Sequence, residues 1–224
     1  MEYIIVISTS VIAVVAVLGI YREYFVGLIF HPDPKFGETF FHRLPLIRTG
    51  KVGPGITTQA ETHYFRLKIF NDGKRPAKDV EVLVTEVRKK NADEKYKPMP
   101  MLTPYSLRWT HSPEPSLPVI HPKSERHITL GSVVDPQYRA SLALGYPPSL
   151  VKQGETIFDL EFTLKTTNHE YLLEIGEYEI DLQIVSSNYH KPRRATVTMN
   201  HTGKWFNSED EMYTKGVKIT INKD

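Results

Sequence analysis

The chain has 224 residues, enough for one sizeable domain and an appendage. Charged residues make up 24% of it and the formal net charge is +2, which argues against a strongly basic nucleic-acid surface and against an acidic disordered tail. The chain contains no cysteine, so disulfides, zinc–thiolate sites and cysteine nucleophiles are excluded.

An uncharged apolar segment, Tyr3 to Ile20, stands near the start of the chain. As a helix it would extend about 27 Å, close to the hydrocarbon thickness of about 30 Å. A cleaved signal peptide is the alternative, but only Met1 and Glu2 precede the segment, and no Ala-x-Ala site follows it. The pattern therefore predicts a retained transmembrane anchor that meets the lipid bilayer through residues 3–20.

The cations near this segment all follow it: Arg22, Lys35, Arg43, Arg48 and Lys51. By the positive-inside rule, they predict a single-pass protein of the cell membrane with its C-terminal domain in the cytoplasm. Aromatic residues between Tyr21 and Phe30 are typical of the headgroup level, although they are also compatible with a simple continuation of the helix to Pro32. Residues 1–30 are thus assigned to the anchor and an interfacial aromatic segment.

Residues 31–60 are rich in Gly, Pro and Thr without a steady period, which predicts a linker. Residues 61–224 alternate apolar and polar side chains in many short segments, and no strand–helix–strand alternation is visible. We therefore predict an all-β fold, an antiparallel β-sandwich. The predicted strands are 63–71, 79–89, 105–111, 125–134, 155–165, 176–187, 193–201 and 216–223.

Three local features interrupt the alternation. A phase slip at Thr85–Val87 predicts a bulge. A Pro-rich insertion at about 90–122 is interpreted as a rigid edge connection, with partner binding as the alternative. Ser208 and Glu211 predict a capping box at the start of a short helix over 207–213.

The segment "FNDGKRPAKDVEV" lies between the first two predicted strands. Asn71 can bind the backbone two residues on, Gly73 can supply a positive φ, and Ala77 is small enough for the next strand to approach. This Asn-x-Gly-x-x-x-Ala pattern resembles the strand–turn–strand signature of bacterial Ig-like domains such as the cell-adhesion-related domain. The strand "GEYEIDLQIV" is similar to another strand of that family. The whole chain resembles a class of uncharacterised prokaryotic single-pass membrane proteins with one such domain, and the resemblance implies an Ig-like sandwich.

Motifs for chemistry are scarce. None of the nine histidines has metal-ligand spacing on a helix, and no nucleophile elbow, Walker-type loop or dinucleotide fingerprint occurs. We therefore predict no catalytic residue, no metal and no cofactor, and the protein is not expected to be an enzyme.

Candidate contacts to a protein partner or to lipid come from exposed cations and one aromatic pair. They are Lys74, Arg75, Arg88, Lys89, Lys90, Trp205 and Phe206. The simpler interpretations are solvated hairpin tips for the cations and core packing for the aromatic pair.

Three functions are compatible with these features. The first is a membrane-tethered β-sandwich that binds another protein at the membrane surface, without nucleic acid. The second is a sensor or effector subunit of a membrane-associated, defence-related system. The third is a hydrolase with a His/Asp site assembled in space.

Overall fold

Two antiparallel β-sheets make up most of the part of the protein that the structure describes. The computed structural model describes Val15, Val17, Leu18, Gly19 and Tyr21, and residues 30–40, 46–51, 57–101, 104–112, 114–137, 146–150 and 152–223. The first sheet contains β1 (Pro34–Phe40), β2 (Leu46–Lys51), β3 (Thr57–Asn71), β7 (Arg108–Trp109), β9 (Glu125–Val134), β10 (Phe158–Leu160) and β11 (Leu172–Leu173). The second contains β4 (Ala77–Lys90), β5 (Tyr96–Pro98), β6 (Tyr105–Ser106), β8 (Leu117–Ile120), β12 (Gly176–Ser186), β13 (Tyr189–His201) and β14 (Val217–Lys223).

The two sheets share one hydrophobic core because their long strands alternate. Val80, Val82 and Val84 of β4 are fully buried, as are Phe65 and Ile69 of β3. Of the positions that alternate with them, Glu81, Arg66 and Lys68 are polar, whereas Leu83 is apolar and half-buried. The all-β, antiparallel character predicted from the alternation is confirmed.

Local details follow the sequence with two exceptions. The predicted bulge is present, since the β12–β4 register shifts between Asp181 and Leu182 and leaves Thr85 unpaired with β12. The short helix is present as an α-turn, Glu209–Glu211, that continues into a π-helical stretch, Met212–Gly216. The capping box is wrong, because the Ser208 side chain makes no cap hydrogen bond.

The predicted strand 155–165 is also wrong in its length. Only Phe158–Leu160 pairs as β10, and Leu164 beyond it is 79% exposed. Asp159 and Glu161 occupy the polar positions of this alternation, but both are buried and bound by other side chains. The prediction assumed that the polar residues of this segment lie on an exposed face, and their burial shows that they do not.

The segments assigned to the linker and the Pro-rich insertion contain strands. β1 and β2 both pair with β3, so part of residues 31–60 belongs to the first sheet. β5, β6 and β8 pair with successive parts of β4, and β7 pairs with β9. No helix among the described residues is long and apolar enough to cross a membrane, and most of the predicted anchor, residues 3–20, lies outside the described residues.

Candidate functional site

Asn71, at the end of β3, organises one end of the sandwich. Its side chain is fully buried. The Oδ1 atom accepts hydrogen bonds from the backbone amides of Asp33 at 2.9 Å and Gly73 at 3.0 Å. The Nδ2 atom donates to the carbonyls of Arg75 at 2.7 Å and Ile120 at 2.9 Å. The predicted bond two residues on is therefore confirmed, and one side chain joins three separate segments.

Gly73 is needed for a reason that differs from the prediction. It is not among the glycines with positive φ, so the predicted left-handed conformation is wrong. A Cβ atom at this position would lie 2.3 Å from the carbonyl oxygen of His31 and 2.5 Å from the amide nitrogen of Asp33. Gly73 therefore allows the backbone of residues 31–33 to pack directly against this turn.

The same end of the sandwich lies beside Phe30, the last residue of the predicted interfacial segment. The Lys74 backbone amide donates to the His31 carbonyl at 3.1 Å. The Lys74 ammonium lies 5.1 Å from the centre of the Phe30 ring. The turn after β3 and the exit from residues 1–30 are therefore adjacent.

A network of ion pairs ties this exit to both sheets. Asp33 lies 2.6 Å from Arg193 of β13 and 3.0 Å from Lys35 of β1. Burial favours a raised pKa for Asp33, but the hydrogen bonds from Arg193 and Lys35 outweigh it and lower the pKa. Asp72 accepts from Lys123 and Lys35, which together lower its pKa to about 2.

Other cations surround this network, and we call the whole set the basic end. It comprises Lys35, Lys74, Arg75, Lys78, Lys123, Lys191, Arg193, Arg194 and Lys223. The strand register brings these residues together, because the turn after β3, the β12–β13 turn and the end of β14 lie at one end of the sandwich. The carboxylates at this end, among the residues the structure describes, are Asp33, Asp72, Asp79, Glu81 and Glu125.

Six cations of the basic end form no ion pair with any described residue: Lys74, Arg75, Lys78, Lys191, Arg194 and Lys223. All of them except Arg75, which is half-buried, are exposed. The surface is therefore positively charged where the chain enters the sandwich. The described part of residues 15–21 is helical, and its apolar side chains are between 50% and 63% exposed.

Of the predicted contact residues, Lys74 and Arg75 belong to the basic end, whereas Arg88, Lys89 and Lys90 do not. β4 has 14 residues and so separates the two groups by roughly 40 Å. Arg88 binds Glu179 at 3.0 Å and Asp181 at 2.7 Å, as well as Glu86. The hydrogen bond to Asp181 contributes most to the raised pKa of Arg88.

Lys89 and Lys90 also face acidic side chains of the neighbouring segments. Lys89 lies 3.9 Å from Glu174 and over the ring of Tyr178 at 5.4 Å. Lys90 pairs with Glu177 at 3.2 Å and with Glu94. This cluster therefore carries little uncompensated positive charge.

Trp205 and Phe206 lie at the end opposite the basic end and are half-buried against the core. The Trp205 ring lies 4.8 Å from the ring of His63, whose Nε2 donates to the Phe206 carbonyl at 2.9 Å. Trp205 also borders an open cleft of about 520 Å³. Its other lining residues are Gln59, Ala60, Glu61, Asp135, Gln137 and Asn207.

Several buried polar groups elsewhere are engaged in structural hydrogen bonds. Ser132 donates to Glu161 at 2.9 Å, and Tyr146 donates to Asp159 at 3.2 Å. Asp159 and Glu161 are 1% and 2% exposed, so neither carboxylate is accessible to a substrate. His201 is likewise held between Thr156 and the Glu174 carbonyl. No group of metal-ligating side chains occurs within the described ranges.

Sequence reasoning missed several members of the basic end, namely Lys78, Lys123 and Lys223. They are far apart in the chain and meet only through the strand register. Comparison with known proteins adds no family: no family model matches the chain, and no curated protein matches it.

Proposed function

We propose that the protein is a membrane-tethered, Ig-like β-sandwich that binds another protein at the membrane surface. Its basic end lies on anionic lipid headgroups of the cytoplasmic leaflet, and a single transmembrane helix over residues 3–20 holds it there. The observation that carries this proposal is the group of six cations that form no ion pair with a described residue, one of which, Lys74, lies over the Phe30 ring where the chain enters the sandwich.

Electrostatics supports this orientation. Each Lys or Arg near an anionic surface contributes about 1 kcal/mol. A tether keeps the domain at high effective concentration beside the bilayer, so even modest attraction is sufficient to orient it. The exposed apolar side chains of Val15, Val17 and Leu18 are compatible with a lipid surrounding.

In this orientation the Trp205 cleft points away from the membrane. An indole beside carboxylate and carboxamide groups combines an aromatic anchor with hydrogen-bonding partners, the combination common at the centre of protein interfaces. The cleft is therefore the surface that we propose for the protein partner.

The lipid contact can be tested by hydrogen–deuterium exchange on the full chain in nanodiscs. Amides of residues 72–79 should exchange more slowly in discs that contain phosphatidylserine than in discs of phosphatidylcholine alone, and salt should remove the difference. The triple variant Lys74→Gln, Arg75→Gln and Lys78→Gln should lose this protection. The matched control, Lys95→Gln, Lys97→Gln and Lys204→Gln, removes equal charge from exposed positions outside the basic end and should keep it.

Equal protection in both lipid compositions would refute the orientation. For the protein partner, a photo-crosslinking residue at Asn207, which borders the cleft, should capture a protein in cells that residues 1–30 alone do not capture. The absence of any such product would refute the protein-binding half of the proposal.

A further inference from the structure

A second, smaller cleft lies within the basic end, where the two sheets meet. It has a volume of about 110 Å³ and is lined by Lys35, Phe36, Arg193, Arg194 and Lys223. Phe36 of β1 is 4% exposed and supplies the apolar floor. The other four described lining residues are cations, and none of the described residues that line the cleft is a carboxylate.

Two of these cations are held in place by carboxylates outside the cleft. Asp33 Oδ1 accepts from Arg193 Nε at 3.2 Å and from Arg193 Nη2 at 2.6 Å. The Nη1 atom of Arg193 takes part in neither of these two hydrogen bonds. Lys35 is fixed between Asp33 at 3.0 Å and Asp72 at 2.9 Å. The two side chains are thus ordered before any ligand arrives, which lowers the entropic cost of binding.

The other two cations add charge that no described carboxylate balances. Arg194 lies on β13, and Lys223 lies near the end of β14, opposite Ala195; both line the cleft. Both are exposed and neither forms an ion pair with a described residue. Four cations that converge on a small space favour a compact anion with several oxygen atoms.

We propose that this cleft binds the phosphate monoester of a membrane lipid such as phosphatidic acid. A terminal phosphate presents three free oxygens and a charge of about −1.5 to −2 at neutral pH, more than a diester headgroup offers. The cleft has room for one tetrahedral anion and a few water molecules. Arg193 and Lys35 would orient the phosphate, and Arg194 and Lys223 would supply most of the attraction.

The lipid source follows from the position of the cleft and rests on the proposed function. Lys35 is only five residues beyond Phe30, so the cleft lies at most about 17 Å of extended chain from the predicted interfacial segment. A phosphate at the bilayer surface is therefore within reach, whereas a soluble phosphate would have no advantage from the tether.

Calorimetric titration of the full chain in neutral detergent micelles tests this inference. Short-chain phosphatidic acid should bind at least about tenfold more tightly than short-chain phosphatidylserine or glycerol 3-phosphate. The double variant Arg194→Gln and Lys223→Gln should weaken binding of phosphatidic acid by about ten- to a hundredfold. The matched control, Lys78→Gln and Lys191→Gln, removes the same charge from the same end outside the cleft and should weaken it no more than about threefold.

Each contrary result overturns a specific part. If both double variants lost affinity for phosphatidic acid equally, diffuse electrostatic attraction and not the cleft would explain the binding. The headgroup contact of the proposed function would then still stand. Equal affinity for phosphatidylserine would refute the preference for a monoester, and equal affinity for glycerol 3-phosphate would refute the lipid source. Thermal unfolding of every variant, which should match the wild type because the replaced side chains are exposed, separates loss of binding from loss of fold.

Discussion

Replacement of Asn71 by Ala should destabilise the protein far more than an ordinary loss of one polar side chain. The wild-type amide binds the segment before β1, its own turn and the end of β8. Ala would leave the amides of Asp33 and Gly73 and the carbonyls of Arg75 and Ile120 without these partners. Two of the four hydrogen bonds are fully buried and two are partly buried.

The magnitude follows from the number and burial of these bonds. A neutral intramolecular hydrogen bond contributes about 1 kcal/mol, and a buried group left unpaired costs more. Water can reach the partly buried groups and recover part of the loss. We therefore expect Asn71→Ala to lower the free energy of unfolding by about 3 kcal/mol, a large share of the total stability of about 5–15 kcal/mol of a typical protein.

Urea unfolding of the full chain in neutral detergent measures this effect. Trp109 is 2% exposed in the core, so its fluorescence reports on the packing of the sandwich. The matched control is Asn91→Ala, because Asn91 also accepts two backbone hydrogen bonds, from Asp93 and Lys95, but in an exposed turn. That control should cost less than about 1 kcal/mol. If the two variants were equally stable, Asn71 would not organise the basic end as we argue.

Two further predictions concern Gly73 and Glu209. In the same assay, Gly73→Ala should lower the free energy of unfolding by about 3 kcal/mol, because its Cβ would collide with the backbone of residues 31–33. The control is Gly154→Ala, where φ is +77° and the surrounding space is open, and it should cost only about 1 kcal/mol. Burial, reinforced by Asp210, raises the pKa of Glu209 from an ordinary value of 4.5 to about 7. The folded protein therefore favours the protonated form, and the free energy of unfolding should fall by about 2 kcal/mol as the pH rises from 4.5 to about 7. Glu209→Gln cannot ionise and should lack this decline, and parallel pH profiles of variant and wild type would contradict the assignment.

The sandwich was predictable from the sequence where a single strand shows a clear alternation of apolar and polar residues. β3, β4, β12 and β13 alternate over much of their length, with the bulge at Thr85 as the break in β4, so most of their buried positions follow from the sequence alone. β1 and β2 were not predicted, because they contain glycine and few apolar residues. They become strands because β3 offers them a partner edge.

The candidate site was only partly predictable for a similar reason. Lys74 and Arg75 were found because turn chemistry marks their position in the chain. Arg194 and Lys223 meet only through the β13–β14 register, and Gly73 is constrained by His31, which is distant in sequence. Local sequence contains no signal for either contact.

The distribution of the cations that form no ion pair with a described residue supports the proposal that the ends of the sandwich are its interaction surfaces. In the middle of a sheet, each outward side chain has cross-strand neighbours, and Arg88 meets Glu179 and Asp181 in this way. At a turn or a strand end, such neighbours are missing on one side, so a cation there keeps its charge available to another molecule. The basic end collects its nine cations from five segments of the chain, and that is the reason that a protein with a net charge of only +2 can present a strongly positive surface beside its predicted anchor.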